Sequence, residues 1–270
     1  MSAKAGKPLV QTDAGAYIAW SGADQPELAT EGLGCGLLVL RPLGFALPHY
    51  ADSNKFGYVL TGSGVAGVLP VEAKERVVRL KAGDVIVEQA ATVFRSQTAV
   101  LLTRLSTKLP GVCPREHDRK GLVVNVGHVA AGTLKTLTPS DLAALSGLGF
   151  STVLGRLEPG AARPPWVLRE GAAQVVYVAR GSARVQVSSA AGGDTLLDDE
   201  EVPAGSLFVV PRFAVALVAA GADGAEWVSL IKSSRPAVEH LTGEGSIFGG
   251  LTPQVVQASL KVAAELLKLL

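Results

Sequence analysis

The stretch Tyr58-Val59-Leu60-Thr61-Gly62-Ser63-Gly64 returns as Tyr177-Val178-Ala179-Arg180-Gly181-Ser182, with both the tyrosine and the glycine 119 residues further on. Each copy runs from aliphatic residues into a glycine that tolerates positive φ, so each reads as a strand entering a turn. Two more landmarks keep this order: Pro48 finds Pro165 after 117 residues, and the Gly83-Asp84 turn finds Gly205 after 122. A near-constant offset, drifting only where loops vary in length, indicates two copies of one β-module.

Around the first copy, short aliphatic and β-branched runs alternate with Gly, Pro, Asp and Asn. This predicts strands at Gly36 to Leu40, Phe45 to Tyr50, Phe56 to Leu60, Val65 to Leu69, Arg76 to Leu80, Val85 to Glu88 and Ala99 to Leu105. Asp84 is expected to bond nearby backbone in its turn. One helix is predicted from Thr138-Pro139-Ser140-Asp141, a cap with proline at the first helical position, carrying Leu142, Leu145 and Leu148 as far as Gly149. A second runs from Thr252-Pro253 towards Leu270, with Val255, Val256, Leu260, Leu266 and Leu267 on an apolar stripe. A stripe that wide calls for cover: if the two barrels do not cover it, a second subunit is the expected cover. Pro110, Pro114 and the charged run Arg115 to Lys120 read as a linker. The domains are therefore placed at residues 1–109 and 121–270, with the linker at 110–120.

The 270 residues are 48% hydrophobic and 18% charged, ample for cores. With 25 basic residues against 24 acidic, no field draws a phosphate backbone, and nucleic acid is not expected as a partner. No apolar run approaches the ~20 residues that cross a bilayer, so no membrane partner is expected. Met1 to Pro8 lack the apolar core of a signal peptide, which predicts a cytoplasmic protein. Cys35 and Cys113 lack metal-site spacing; they could in principle bridge, but in a reducing compartment they read as buried or idle thiols.

Taken as a set, several segments carry a resemblance: Pro42 to Tyr50 with Tyr58 to Gly64, then Leu157 to Gly160, Tyr177 to Val187, Val202 to Phe213, and the tail Phe248 to Val262. The chain resembles the two-module plant cupins of the legumin, or 11S globulin, type. The resemblance implies an all-β fold of two tandem cupin jelly-roll β-barrels with short helical segments, including a C-terminal helical arm. It also implies self-association into trimers and a nutrient-reservoir role. The missing signal peptide brings the chain closer to cytosolic legumin-like cupins, and no Asn-Gly processing site stands in the linker. From Gly83 to Gly121 there are 38 residues, against 65 from Gly205 to Leu270, so the first module is expected to lack its helical arm. The family's trimer contact, which uses both arms, then loses one of them.

Metal-dependent cupins hold an ion with three His and one Glu facing into the barrel. Counted from the repeated landmarks, those positions fall at His49, Ala51, Lys55 and Phe94 in the first module, and at Trp166, Leu168, Gln174 and Ala216 in the second. One imidazole remains, and an ammonium replaces the carboxylate, so no metal, cofactor or enzyme activity is expected. His117, His128 and His240 read as exposed or simply hydrogen-bonded. His49, Tyr50, Lys55 and Tyr58 are the candidate residues for a small ligand at the first barrel mouth; the other reading packs Tyr50 inside and lets His49 cap a loop. Gly62-Ser63-Gly64 reads as a hairpin turn and not a nucleophile elbow, and Asp198-Asp199-Glu200-Glu201 as a solvated loop. Two functions follow. The first is a non-enzymatic bicupin of the seed-storage type. The alternative is a cytosolic cupin that holds a metabolite or weakly bound metal in the first barrel, as a sensor or degenerate isomerase or oxygenase.

Overall fold

A computed structural model describes residues 1–42, 44–51, 53–69, 74–88, 92–98, 119–127, 129–189, 195–243 and 245–260. They form two compact units. One comprises Ala5–Val129 with Lys135–Ser151; the other comprises Met1–Lys4, Ala130–Leu134 and Thr152–Leu270. The strand predicted at Ala99 to Leu105 and most of the linker, residues 110–118, lie outside the described residues.

The first unit holds three sheets. Ser63–Leu69 lies between Arg76–Lys81 and Thr92–Thr98, and Phe45–Ala51 pairs on the far side of Thr92–Thr98. Asp84–Glu88 lies between Lys55–Tyr58 and Val123–Asn125, and Gly15–Trp20 lies between Lys7–Thr12 and Cys35–Leu40. Alternation puts Val78 and Leu80 inward and Arg79 outward, and the inward set packs with Ala66, Val68, Ile86, Leu122 and Val123. Asp84 is fully buried and fully engaged. Its carboxylate accepts the Lys81 amide at 2.8 Å and Asn125 Nδ2 at 2.6 Å, and it pairs with Arg119 at 2.5 Å. The turn aspartate thus bonds nearby backbone as expected, and also ties three segments together.

The second unit is organised by two long strands, Gln174–Ser189 and Ala214–Ile231, paired from Gln174 opposite Ile231 to Ser189 opposite Ala214. The buried set is Gln174, Val175, Val176 and Val178 before the bend, of which Val176 and Val178 join the main cluster, then Ala183, Val185 and Val187 after it. On the partner it is Ala214, Ala216, Val218 and Ala220, then Ala225, Trp227, Ser229 and Ile231. In both strands the inward phase changes parity across the register shifts at Val178/Arg180 and Gly181/Ala183, so both halves of each strand face one core. Ser206–Val210 flanks one end and Thr195–Pro203 the other, while Ala162–Leu168 and then Val238–His240 extend the sheet beyond Ala214–Ile231. The bend needs its glycines: Gly181 has φ +68°, Gly224 has φ +77°, and a methyl on Gly181 would overlap the Gly224 carbonyl.

The repeat read from the sequence is present bond for bond. In the first unit the Ala82 amide donates to the Gly62 carbonyl and the Gly83 amide to the Val59 carbonyl, each at 2.9 Å. In the second the Ala204 amide donates to Gly181 and the Gly205 amide to Val178, again at 2.9 Å.

Three sequence expectations are corrected. The strands Lys7–Thr12 and Gly15–Trp20 were not predicted, nor was Thr92–Thr98. The four acids Asp198 to Glu201 lie in the strand Thr195–Pro203 and not in a loop; Asp199 has φ +46° at a register shift and pairs with Arg184. The helix predicted after Thr138 is a capped turn followed by a short 3₁₀ helix, Ala143–Gly147. Asp141 accepts the Thr138 amide at 2.8 Å, and Leu142, Leu145 and Leu148 are all buried. Their spacing of three matches three residues per turn, the 3₁₀ period. The C-terminal helix starts at Pro253 as read and is described to Leu260; residues 261–270, with Leu266 and Leu267, lie outside the described residues.

Candidate functional site

The positions counted from the repeat occupy matching places in the two units. His49 is the cross-strand partner of Phe94, and Trp166 is the partner of Ala216. In the second unit these positions form a sealed interior. Trp166, Leu168, Gln174 and Ala216 are all buried, and Trp166 and Ala216 pack in one cluster with Val176, Val178, Val185, Val187, Phe208 and Trp227.

The polar groups of Gln174, Ser229 and the Trp166 indole are used up by one another and by nearby carbonyls. Trp166 Nε1 donates to Gln174 Oε1 at 3.1 Å, Gln174 Nε2 donates to Ser229 Oγ at 2.8 Å, and Ser229 Oγ donates to the Val153 carbonyl at 3.1 Å. Thr152 Oγ1 donates to the Ser229 carbonyl at 2.7 Å. A neutral indole, a methyl, an isobutyl and an amide whose oxygen already accepts a hydrogen bond form no set for a divalent ion, which needs imidazole, carboxylate or thiolate. These residues do not fit the metal that enzymatic members of this fold carry. Ser229 was not singled out from the sequence; its inward phase beside Trp227, two residues along the same strand, is the signal that finds it.

In the first unit His49 and Lys55 come from different strands, Phe45–Ala51 and Lys55–Tyr58. His49 is exposed, and partial burial together with the Lys55 charge holds its pKa below 6.5. A lone imidazole beside an ammonium is not a cation site. Lys55 and Tyr58 are half-buried, and the side chains of Tyr50 and Ala51 lie outside the described residues. Among the described residues no group of three or more His, Cys, Asp or Glu converges.

Elsewhere, Val255 is 47% exposed and Val256 is 4% exposed, so Val256 is already covered within its own chain. The side chain of Leu260, and His117, His128 and Cys113, lie outside the described residues. His240 corrects its reading: it is half-buried in a strand, and its Nδ1 is buried with no hydrogen-bond partner.

Among the described residues no helix is long and apolar enough to cross a membrane. The cupin family matches residues 2–103 and 125–268. Legumin A of Gossypium hirsutum is 35% identical over 136 residues, 50% of this chain and 26% of that protein, so the match spans about a quarter of the relative's length. The 13S globulin basic chain of Fagopyrum esculentum is 31% identical over 136 residues, 50% of this chain and 68% of that one. The crystal structure of pumpkin seed globulin superposes with a TM-score of 0.82 at 17% identity, covering 99% of this chain and 94% of that one. An oxalate decarboxylase from Lactobacillus farciminis, in a formate complex, superposes with a TM-score of 0.78 at 13% identity, covering 97% of this chain and 93% of that one. Two copies of one β-module, matched along almost their whole length and superposing on a seed globulin, place this chain in the cupin family as a two-module protein of the 11S globulin type.

Proposed function

We propose that this is a non-catalytic storage-type cupin with a nutrient-reservoir role, self-associating through its C-terminal helix. The observation that carries the reading is the Trp166–Gln174–Ser229 chain. It fills, with mutually satisfied neutral groups, the interior where a metal-dependent relative concentrates its ligands. Chemistry would require that interior to open and present charge, and the hydrogen bonds oppose both. The storage globulins among the relatives support the role, and the exposed Val255 supports association.

The test is metal loading. Purified protein is incubated with Mn(II), Fe(II) and Zn(II) in turn, dialysed and analysed for metal content. The expected result is below about a tenth of an equivalent per chain, since Trp166, Leu168, Gln174 and Ala216 offer a metal no deprotonated ligand. One equivalent retained by the folded protein would overturn the reading.

A further inference from the structure

We propose that the second module carries a receptor for a small carboxylate, formed by the Arg163 guanidinium stacked on the Trp166 indole with His240 beside it. Arg163 is 5% exposed, and its guanidinium carbon lies 3.9 Å from the centre of the Trp166 ring. Among the described residues it makes no ion pair and no hydrogen bond, and its Nε is sealed from solvent without a partner. Arg119, Arg156, Arg169, Arg180 and Arg184 all sit nearer the solvent, and each pairs with a carboxylate. Arg163, buried more deeply than these five, has no such anion among the described residues.

The local backbone explains how it came to be there. Arg163 pairs with Val218 and Trp166 with Ala216, so three steps on one strand match two on the other, and Pro164-Pro165 forms the bulge between them. The bulge restores Arg163 to the inward face that Trp166 occupies. His240 is the cross-strand partner of Trp166 and therefore projects from the same face, and its Nδ1 is buried without a hydrogen-bond partner. The next carboxylate on that strand, Glu239, belongs to the opposite face and is taken by Arg169.

Stacking occupies one face of the guanidinium and its Nε is sealed, so the edge formed by its two Nη groups is the one left to a ligand. That edge matches the two oxygens of a carboxylate. Burial lowers the Arg163 pKa to about 10, which leaves it cationic at neutral pH and in need of a counter-charge. A small carboxylate supplies the charge and two acceptors, and His240 Nδ1–H supplies a second donor to it.

The probe is sodium acetate, titrated against sodium chloride at constant ionic strength and followed by saturation transfer from the full chain to the acetate methyl. The expected result is a saturable signal for the wild type, weakened about tenfold or more in Arg163→Gln, as expected when a charge-assisted bidentate contact is lost. Arg163→Lys retains charge without the fork and should fall between the two. The unfolding midpoint of the wild type should also rise with acetate beyond its rise with chloride. No saturable signal, no acetate-specific rise, or equal binding by Arg163→Gln overturns the proposal. If the Gln variant does not fold, Arg163→Lys binding as tightly as the wild type overturns it.

Discussion

Gly62 and Gly181 occupy the same place in the two modules and have the same backbone, with φ +78° and +68°. An alanine at either position meets the same left-handed penalty, offset in part by the reduced freedom of the unfolded chain, for a net cost of roughly 1 kcal/mol. Their surroundings differ. A methyl on Gly62 meets nothing within 4 Å, whereas one on Gly181 stands 2.9 Å from the Gly224 carbonyl carbon and closer still to its oxygen. Neither atom can swing aside as a side chain would. Retreat would shift the strand that pairs Gly181 with Ala225 and would strain the bond from the Ala204 amide to the Gly181 carbonyl. Overpacking and a weakened hydrogen bond together bring the cost of Gly181→Ala to roughly 4 kcal/mol. That lowers the melting midpoint by about 10 °C for a unit of this size, against ~3 °C for Gly62→Ala. Urea unfolding of both variants, followed by tryptophan fluorescence, measures the difference: Trp166 and Trp227 report on the second unit and Trp20 on the first. If the two variants lose stability within 1 kcal/mol of each other, about the spread of an ordinary point mutation, the close crossing at the bend is not what holds the second module's long strands together.

Ser229→Ala removes the acceptor of Gln174 Nε2 and should cost about 1–3 kcal/mol in denaturant unfolding, while an unchanged midpoint would mean the buried chain adds nothing. Asp84→Ala strands Arg119 and Asn125 and should cost roughly 3–5 kcal/mol in the first unit; a loss no larger than that of a surface change would refute the tie. An NMR titration should find His49 taking up its proton below pH 6.5, and Lys55→Gln should raise the value. The unfolded chain protonates first, so this group's contribution to stability is present above about pH 6.5 and is lost as pH falls through the folded value. Burial pushes the Cys35 thiol up to about 11, so in a Cys113→Ser background an aromatic disulfide reagent at pH 8 should react slowly until the protein unfolds. Rapid reaction in the native state would contradict that environment.

How much of this was legible depended on whether a feature lives in local pattern or in pairing. The repeated Tyr-to-Gly segment and the Gly83 and Gly205 turns depend on short-range backbone preference, and they fixed the two-module architecture correctly. The leucines at 142, 145 and 148 announced a buried helical face, but their spacing of three was read with the wrong period. Lys7–Thr12 is exposed at every position, so it carried no alternation to read and is defined by its pairing with Gly15–Trp20. That the counted positions hold a single imidazole and no carboxylate could be read from the chain. What replaced the ligands could not, because Gln174 and Ser229 meet only through strands 55 residues apart. Arg163 gave no signal at all: beside two prolines it reads as a surface residue, and only the bulge turns it inward.

The two long strands of the second module also set a timetable for synthesis. Gln174 has its mate in Ile231, 57 residues downstream, so the leading end of Gln174–Ser189 leaves the ribosome well before its partner exists. At cellular elongation rates that interval is roughly 3 to 11 s. Throughout it, Val175, Val176 and Val178 present an open apolar edge in the nascent chain, the kind of segment a chaperone must shield from neighbouring polypeptides.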